Sequence, residues 1–142
     1  MACEQAIHHD QGDKMMSVCI AVAQTLMAVI PATVFTLVWT HSVEKTEWRE
    51  SWRIEDGRLR PIEAAVSGSG AGMEPPPGAV LSDNLWHYVP ATPPMTRLLL
   101  AGSRSGEDYT LCWNGACRSL ASLLPDHNSE PIEFYPCDAP NG

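Results

Sequence analysis

The sequence predicts an all-β fold, a small single-domain antiparallel barrel or sandwich of short strands joined by Pro- and Gly-rich loops. Twelve prolines and ten glycines leave little room for long helices, because Pro lacks the N–H donor and Gly weakens helix interiors. Short apolar runs recur along the chain with turn-forming dipeptides between them. A length of 142 residues allows one hydrophobic core rather than two.

The two ends of the chain are set apart from this domain. Residues 1–14 are polar and show little apolar periodicity, which predicts a disordered leader. The all-β domain is expected over residues 15–124. Residues 125–142 are rich in Pro, Asp and Asn, which predicts an irregular C-terminal tail.

The segment from Met15 to Val43 contains no Asp, Glu, Lys or Arg, and two interpretations fit it. It is either a signal or membrane anchor, or a set of buried strands. In the second interpretation Val18–Val22 and Leu26–Ile30 are strands joined by a turn at Gln24 and Thr25. The following residues, 33–40, alternate in the manner of a strand with one buried face.

A hairpin is predicted next, because Asp56-Gly57 separates two strand-like runs, Trp48–Ile54 and Leu59–Val66. Period two places Glu50 between Trp48 and Trp52 on one face of the first run. Further strands, separated by Pro and Gly loops, are predicted at Leu85–Val89, Arg97–Ala101, Tyr109–Trp113 and Ala116–Leu120.

Cys112 and Cys117 have the one informative spacing among the five cysteines. Asn114-Gly115 between them is typical of a two-residue type I′ hairpin turn, which places Cys112 opposite Cys117. The pair then fits either a cross-strand disulfide or two free thiols in a reducing compartment. A zinc site is disfavoured, because no second pair of cysteines has metal-ligand spacing.

The overall charge argues against nucleic acid as a partner. The formal net charge is -8, whereas binding to a phosphate backbone needs clustered Lys and Arg. We predict no metal and no cofactor, since the histidines, including His87, have no second ligand at metal spacing. Five tryptophans are more typical of a core, but Trp48 and Trp52 beside Glu50 fit a shallow apolar pocket.

A candidate site begins with His41 and Ser42, which directly follow a predicted strand. Glu50 is expected to face inward between two tryptophans, where desolvation raises the pKa of a carboxyl group unless a partner such as His41 compensates. These three residues fit a base, orienter and nucleophile, but a polar cluster that satisfies itself at a β corner is the favoured interpretation.

The second part of the candidate site is a glycine-rich loop, whose signature residues are Gly68, Ser69, Gly70, Gly72 and Met73. Its exposed amides could cradle an anion such as a carboxylate. The loop runs into three prolines, so it lacks the helix that a dinucleotide or Walker loop requires. The competing interpretation is a tight β corner on which another segment packs.

Three stretches in combination resemble a known bacterial family: Phe35–Lys45, Trp48–Glu50 and Gly68–Pro77. They resemble the family called domain of unknown function 1850, over about Val18 to Leu120. The resemblance implies a small protein, often encoded beside the TAXI branch of TRAP transporters, which import organic anions with an extracytoplasmic binding protein. It carries over no catalytic residues, and we assign none.

From this resemblance we predict a noncatalytic accessory or small-ligand-binding protein associated with TRAP-type organic anion uptake. The expected partners are a TRAP transporter component or its organic anion solute, and an extracytoplasmic (periplasmic) location is favoured over a cytoplasmic one. One alternative is a small hydrolase-like enzyme using Ser42, His41 and Glu50. Another is a membrane-anchored protein with Met15 to Trp39 as its span.

Overall fold

A computed structural model describes residues 16–40, 46–67, 76–100, 109–124 and 131–138 of the chain. The all-β prediction is confirmed, since these residues form two antiparallel sheets and one helical turn. The elements are β1 (Met16–Val22), β2 (Thr25–Ile30), β3 (Val34–Thr40), β4 (Glu47–Glu55), β5 (Arg58–Ser67), β6 (Val80–Ser82), β7 (Leu85–Tyr88), β8 (Leu98–Leu100), β9 (Tyr109–Trp113), β10 (Ala116–Ser119), α1 (Leu120–Leu123) and β11 (Ile132–Asp138).

The smaller sheet has four strands in the order β2-β1-β11-β8. Residues 16–40 form three strands, β1, β2 and β3, as the strand interpretation predicts. β1 is buried as expected, whereas β2 is an edge strand with Leu26 and Met27 exposed. The turn between β1 and β2 lies one residue earlier than predicted, at Ala23 and Gln24, which take φ values of 50° and 68°. In the part of the chain that the structure describes, no helix is long and apolar enough to cross a membrane.

The larger sheet has seven strands in the order β10-β9-β3-β4-β5-β7-β6. The hairpin of β4 and β5 turns at Asp56-Gly57 and that of β9 and β10 at Asn114-Gly115, so both predicted hairpins are confirmed. All four turn residues have positive φ, which Gly, Asn and Asp adopt most readily. The local turn chemistry therefore sets the register beside each turn. In the hairpin of β4 and β5 the register shifts by one residue between Trp52 and Ser51, at an irregularity of the ladder.

The two sheets share one hydrophobic core. Phe35 of β3 stacks on Phe134 of β11 with ring centroids 5.6 Å apart, and both rings are fully buried. We call the face of the seven-stranded sheet that carries Phe35 its inner face. Aliphatic side chains from both sheets complete the core, among them Val18, Ile20, Leu37, Ile54, Leu59, Leu111 and Ile132.

The prediction of an irregular tail over 125–142 is wrong for residues 132–138, which form β11. This strand lies between β1 and β8 and pairs with β1 along its whole length. Pro136 argued against a strand because it lacks the N–H that a central strand donates. It is tolerated because β8 pairs only with Ile132–Phe134, so at Pro136 the one described neighbour of β11 is β1.

Two short elements were not predicted. The edge strand β6 follows the proline loop and pairs with β7 across a turn at Asp83 and Asn84. The single helical turn α1 replaces the end of the predicted strand Ala116–Leu120, and the Ser119 side chain caps it by accepting a hydrogen bond from the Ser122 N–H.

Candidate functional site

Of the predicted site residues, the structure describes Glu50. The others, His41, Ser42, Gly68, Ser69, Gly70, Gly72 and Met73, lie outside the described residues. β3 and β5 both pair antiparallel with β4, so they run in the same direction. Their last residues, Thr40 and Ser67, therefore lie at the same end of the sheet. The contact of Glu50 with His41, and with it the hydrolase alternative, stays a prediction.

Glu50 lies in the middle of β4, between Leu37 of β3 and Ala64 of β5. Leu37 is fully buried on the inner face, and residues in register on neighbouring strands share a face. Glu50 therefore projects from the inner face, flanked along β4 by Trp48 and Trp52. The side chain is half-buried, with no ion pair to any of the described residues.

Burial raises the pKa of Glu50 above the usual value for a carboxyl group, because desolvation disfavours the charged form. The indole N–H of Trp52 offsets part of this increase. Trp52 Nε1 is buried and completes no hydrogen bond of good geometry within the described residues, so this compensation is weak. Among the described residues, the negative charge of an ionised Glu50 therefore has little compensation from hydrogen bonds or cations.

Tyr88 lies on the same face, since Ala64 pairs with both Glu50 and Tyr88. Burial raises the pKa of the Tyr88 phenol, and the negative charge of Glu50 adds to the increase. The phenol and the carboxyl group are therefore electrostatically coupled across β5.

Two residues nearer the strand ends, aromatic side chains line up across the inner face. We call this set the aromatic row: Tyr109, Trp39, Trp48 and Trp86, on β9, β3, β4 and β7, with Val66 of β5 between the last two. Trp39 stacks on Trp48 with centroids 6.0 Å apart and planes 7° apart, and it meets Tyr109 at 5.5 Å. All four aromatic side chains are half-buried.

The sequence suggested part of this arrangement. Trp48 beside Glu50 was expected in an apolar pocket, and it does lie beside Glu50 in the row. Trp52, expected in the same pocket, is 4% exposed and belongs to the core. Trp39 and Trp86 were not singled out, because their alignment with Trp48 depends on strand order and register, which no local pattern encodes.

A scan against family models gives one match, to Domain of unknown function (DUF1850), over residues 35–120. The chain belongs to the DUF1850 family. No curated protein and no solved structure matches the chain.

The DUF1850 match corresponds closely to one of the two sheets. All seven strands of the larger sheet lie within residues 34–119, so the match covers this sheet almost completely. Of the smaller sheet it includes β8, whereas β1, β2 and β11 fall outside it. Glu50, Tyr88 and the aromatic row therefore all lie in the DUF1850 region.

The predicted pair Cys112 and Cys117 lies in the DUF1850 region and forms a disulfide in the structure. Cys112 of β9 is directly opposite Cys117 of β10, with Cα atoms 4.0 Å apart. A second disulfide, between Cys19 of β1 and Cys137 of β11, joins two strands outside that region. It was not predicted, because a separation of 118 residues carries no pairing signal.

His87 lies on the face of the DUF1850 sheet opposite to Glu50. Its Nδ1 is 3.1 Å from Glu63 Oε2, and its Nε2 is 3.2 Å from the Ser82 carbonyl oxygen. These contacts join β5, β6 and β7 beside a shallow cavity of about 450 Å³. Among the described residues, His, Cys, Asp and Glu form no group of three or more that could hold a metal.

Proposed function

We propose that this DUF1850 protein is a noncatalytic accessory or small-ligand-binding protein associated with TRAP-type organic anion uptake. The observation that carries a binding role is that Glu50 is half-buried, has no ion pair to any of the described residues and lies beside the half-buried aromatic row. Residues that serve only the core are expected to be fully covered and electrically neutral, as Phe35 and Leu37 are.

The association with TRAP transporters rests on the gene neighbourhood that DUF1850 membership implies. The accessory form is favoured over direct binding of the anion, because Glu50 and a formal net charge of -8 both repel an anionic solute. We further propose that the two sheets are the layers of a sandwich and that the protein is extracytoplasmic. Its two disulfides support that location, since disulfides persist in oxidising compartments.

Co-purification tests the proposal. The full chain, tagged in a host that also carries the neighbouring TAXI-type transporter genes, is isolated with and without candidate organic acids. We expect a transporter component to co-purify with the wild-type chain. Glu50→Lys, which reverses the charge at the site, should weaken the association.

The matched control is Glu63→Lys, which makes the same charge change on the opposite face of the sheet, at an exposed side chain. It should leave the association intact. No association of the wild-type chain under either condition would overturn the proposal. Equal loss in both variants would assign the effect to net charge and reject the site.

A further inference from the structure

The inner face near Glu50 lacks a cation among its described side chains. Along the row of residues in register with Glu50, the one charged partner on this sheet is Arg118 of β10, opposite Leu111. It is three strands away, or about 14 Å at the usual spacing between strands, and its side chain is exposed. At that distance through solvent its charge is largely screened.

The side chains around Glu50 are those that bind organic cations elsewhere. The face of an indole ring attracts an ammonium group within about 6 Å of its centroid, and Trp is the most effective residue in this role. Trp39 and Trp48 present two stacked indoles on the inner face, and Trp48 is two residues from Glu50 on the same strand. Aromatic faces beside a single carboxylate match a cation with an apolar surface.

The partial exposure of the aromatic side chains near Glu50 favours ligand binding over a role in the hydrophobic core. Trp39 and Tyr109 pack against the shared core. Within the described residues, Trp48, Trp86 and Tyr88 belong neither to that core nor to the side chains packed on it. All of them keep part of their surface exposed.

We propose that Glu50 and the aromatic row, with Trp48 at its centre, bind a small organic cation of the alkylammonium class. The ammonium group pairs with the Glu50 carboxylate, and its alkyl substituents lie against the indole rings. The inference does not rest on the transporter association, and its test involves no transporter component.

The experiment titrates the full chain, with both disulfides intact, with choline at constant ionic strength. Tryptophan fluorescence reports binding, and the upfield shift of the N-methyl proton resonance reports contact with aromatic rings. The matched ligand is 3,3-dimethylbutan-1-ol, in which a neutral tert-butyl group replaces trimethylammonium at the same shape. We expect choline to bind about tenfold more tightly or better.

Two variants locate the site. Glu50→Gln keeps the size of the side chain and removes its charge, so choline affinity should fall by about tenfold or more. Glu63→Gln makes the same change on the opposite face and should leave the affinity unchanged. Loss of binding in both variants would show attraction to overall negative charge and overturn the proposal.

A measurement on the wild-type chain covers the case in which Glu50→Gln fails to fold. Lowering the pH until Glu50 is protonated should abolish choline binding while circular dichroism shows a folded chain. Burial raises the pKa of Tyr88, a titratable group that shares the described inner face with Glu50, so its phenol stays neutral over this range. Equal affinity for the neutral alcohol, or no binding of choline up to tens of millimolar, would refute the site.

Discussion

The inner face of the seven-stranded sheet has two regions that differ in what covers them. At one end, Phe35 and Leu37 of β3 are fully buried beneath the four-stranded sheet. At the other end of the same strand, Trp39 is half-buried beside Trp48. Two residues along one strand thus separate fully buried side chains from one that packs on the core and keeps part of its surface exposed.

The comparison also explains why an acid is tolerated at position 50. A charged side chain under the four-stranded sheet would lose nearly all of its hydration, which costs several kcal/mol without a partner. Glu50 lies at the boundary between the two regions, where it is half-buried and burial raises its pKa. A carboxyl group at this boundary is accommodated at a limited cost in stability.

The largest expected effect comes from weakening the four-stranded sheet, which covers the fully buried end of the inner face. Replacing Cys19 and Cys137 together with Ser removes the link between β1 and β11, which closes 118 residues of chain. Chain entropy predicts a loss of about 5 kcal/mol in the free energy of unfolding. The matched control replaces Cys112 and Cys117 with Ser. It removes a disulfide between residues only 5 apart in sequence, so the free energy of unfolding should fall by about 2 kcal/mol.

Denaturant unfolding of the three oxidised proteins measures these differences. The double variant of Cys19 and Cys137 should also expose the core and show a lower midpoint in urea. A loss as large in the control as in this variant would contradict the view that the disulfide in the four-stranded sheet dominates.

The next largest effect compares a buried with a half-buried aromatic residue of β3 by the free energy of unfolding. Phe35→Ala should lower the free energy of unfolding by about 4 kcal/mol, because a fully buried ring leaves a cavity. Trp39→Ala, four residues further along β3, should cost about half as much, since that ring is already partly hydrated. Equal losses in chemical unfolding would mean that the aromatic row is core.

The smallest effect separates two carboxyl groups of β4 by their pH dependence. Burial raises the pKa of Glu50, so its ionisation destabilises the fold as pH rises above the unfolded value of 4.5. Glu50→Gln should therefore raise the Tm at pH 7, and this gain should disappear below pH 4.5. The hydrogen bonds from Arg60 and Arg53 lower the pKa of Glu55 on the opposite face.

Glu55→Gln should show the opposite sign. The stability that the ionised Glu55 contributes is present above pH 4.5 and is lost as pH falls through its lower folded pKa. The variant should slightly lower the Tm at neutral pH and leave it unchanged in strong acid. Thermal unfolding from pH 3 to 8 tests both carboxyl groups, and parallel profiles would contradict the assignment of Glu50 to the inner face.

Sequence reasoning succeeded where the signal was local. Asp56-Gly57 and Asn114-Gly115 predicted two hairpins, because these dipeptides adopt the positive φ values that a two-residue turn requires. Period two placed Glu50 beside Trp48 on one face, which the register with Leu37 bears out. The family signature likewise consists of contiguous stretches, and it was recognised from them.

It failed where residues far apart had to meet. The tail containing Pro136 was judged irregular from its composition, whereas β1 pairs with it as a strand. Cys19 and Cys137 gave no signal for the same reason. The aromatic row joins Trp39, Trp48 and Trp86 through a strand order that only the assembled sheet supplies.

The amino-acid sequence alone determined the all-β class, two hairpin turns, the facing cysteines and the family. Each of these depends on conformational preferences that act within a few neighbouring residues. The tertiary structure alone decided that β11 completes the smaller sheet and which part of the inner face stays accessible beside Glu50. Burial is a property of what packs on a surface, and here three of the four covering strands, β1, β2 and β11, come from the two ends of the described chain.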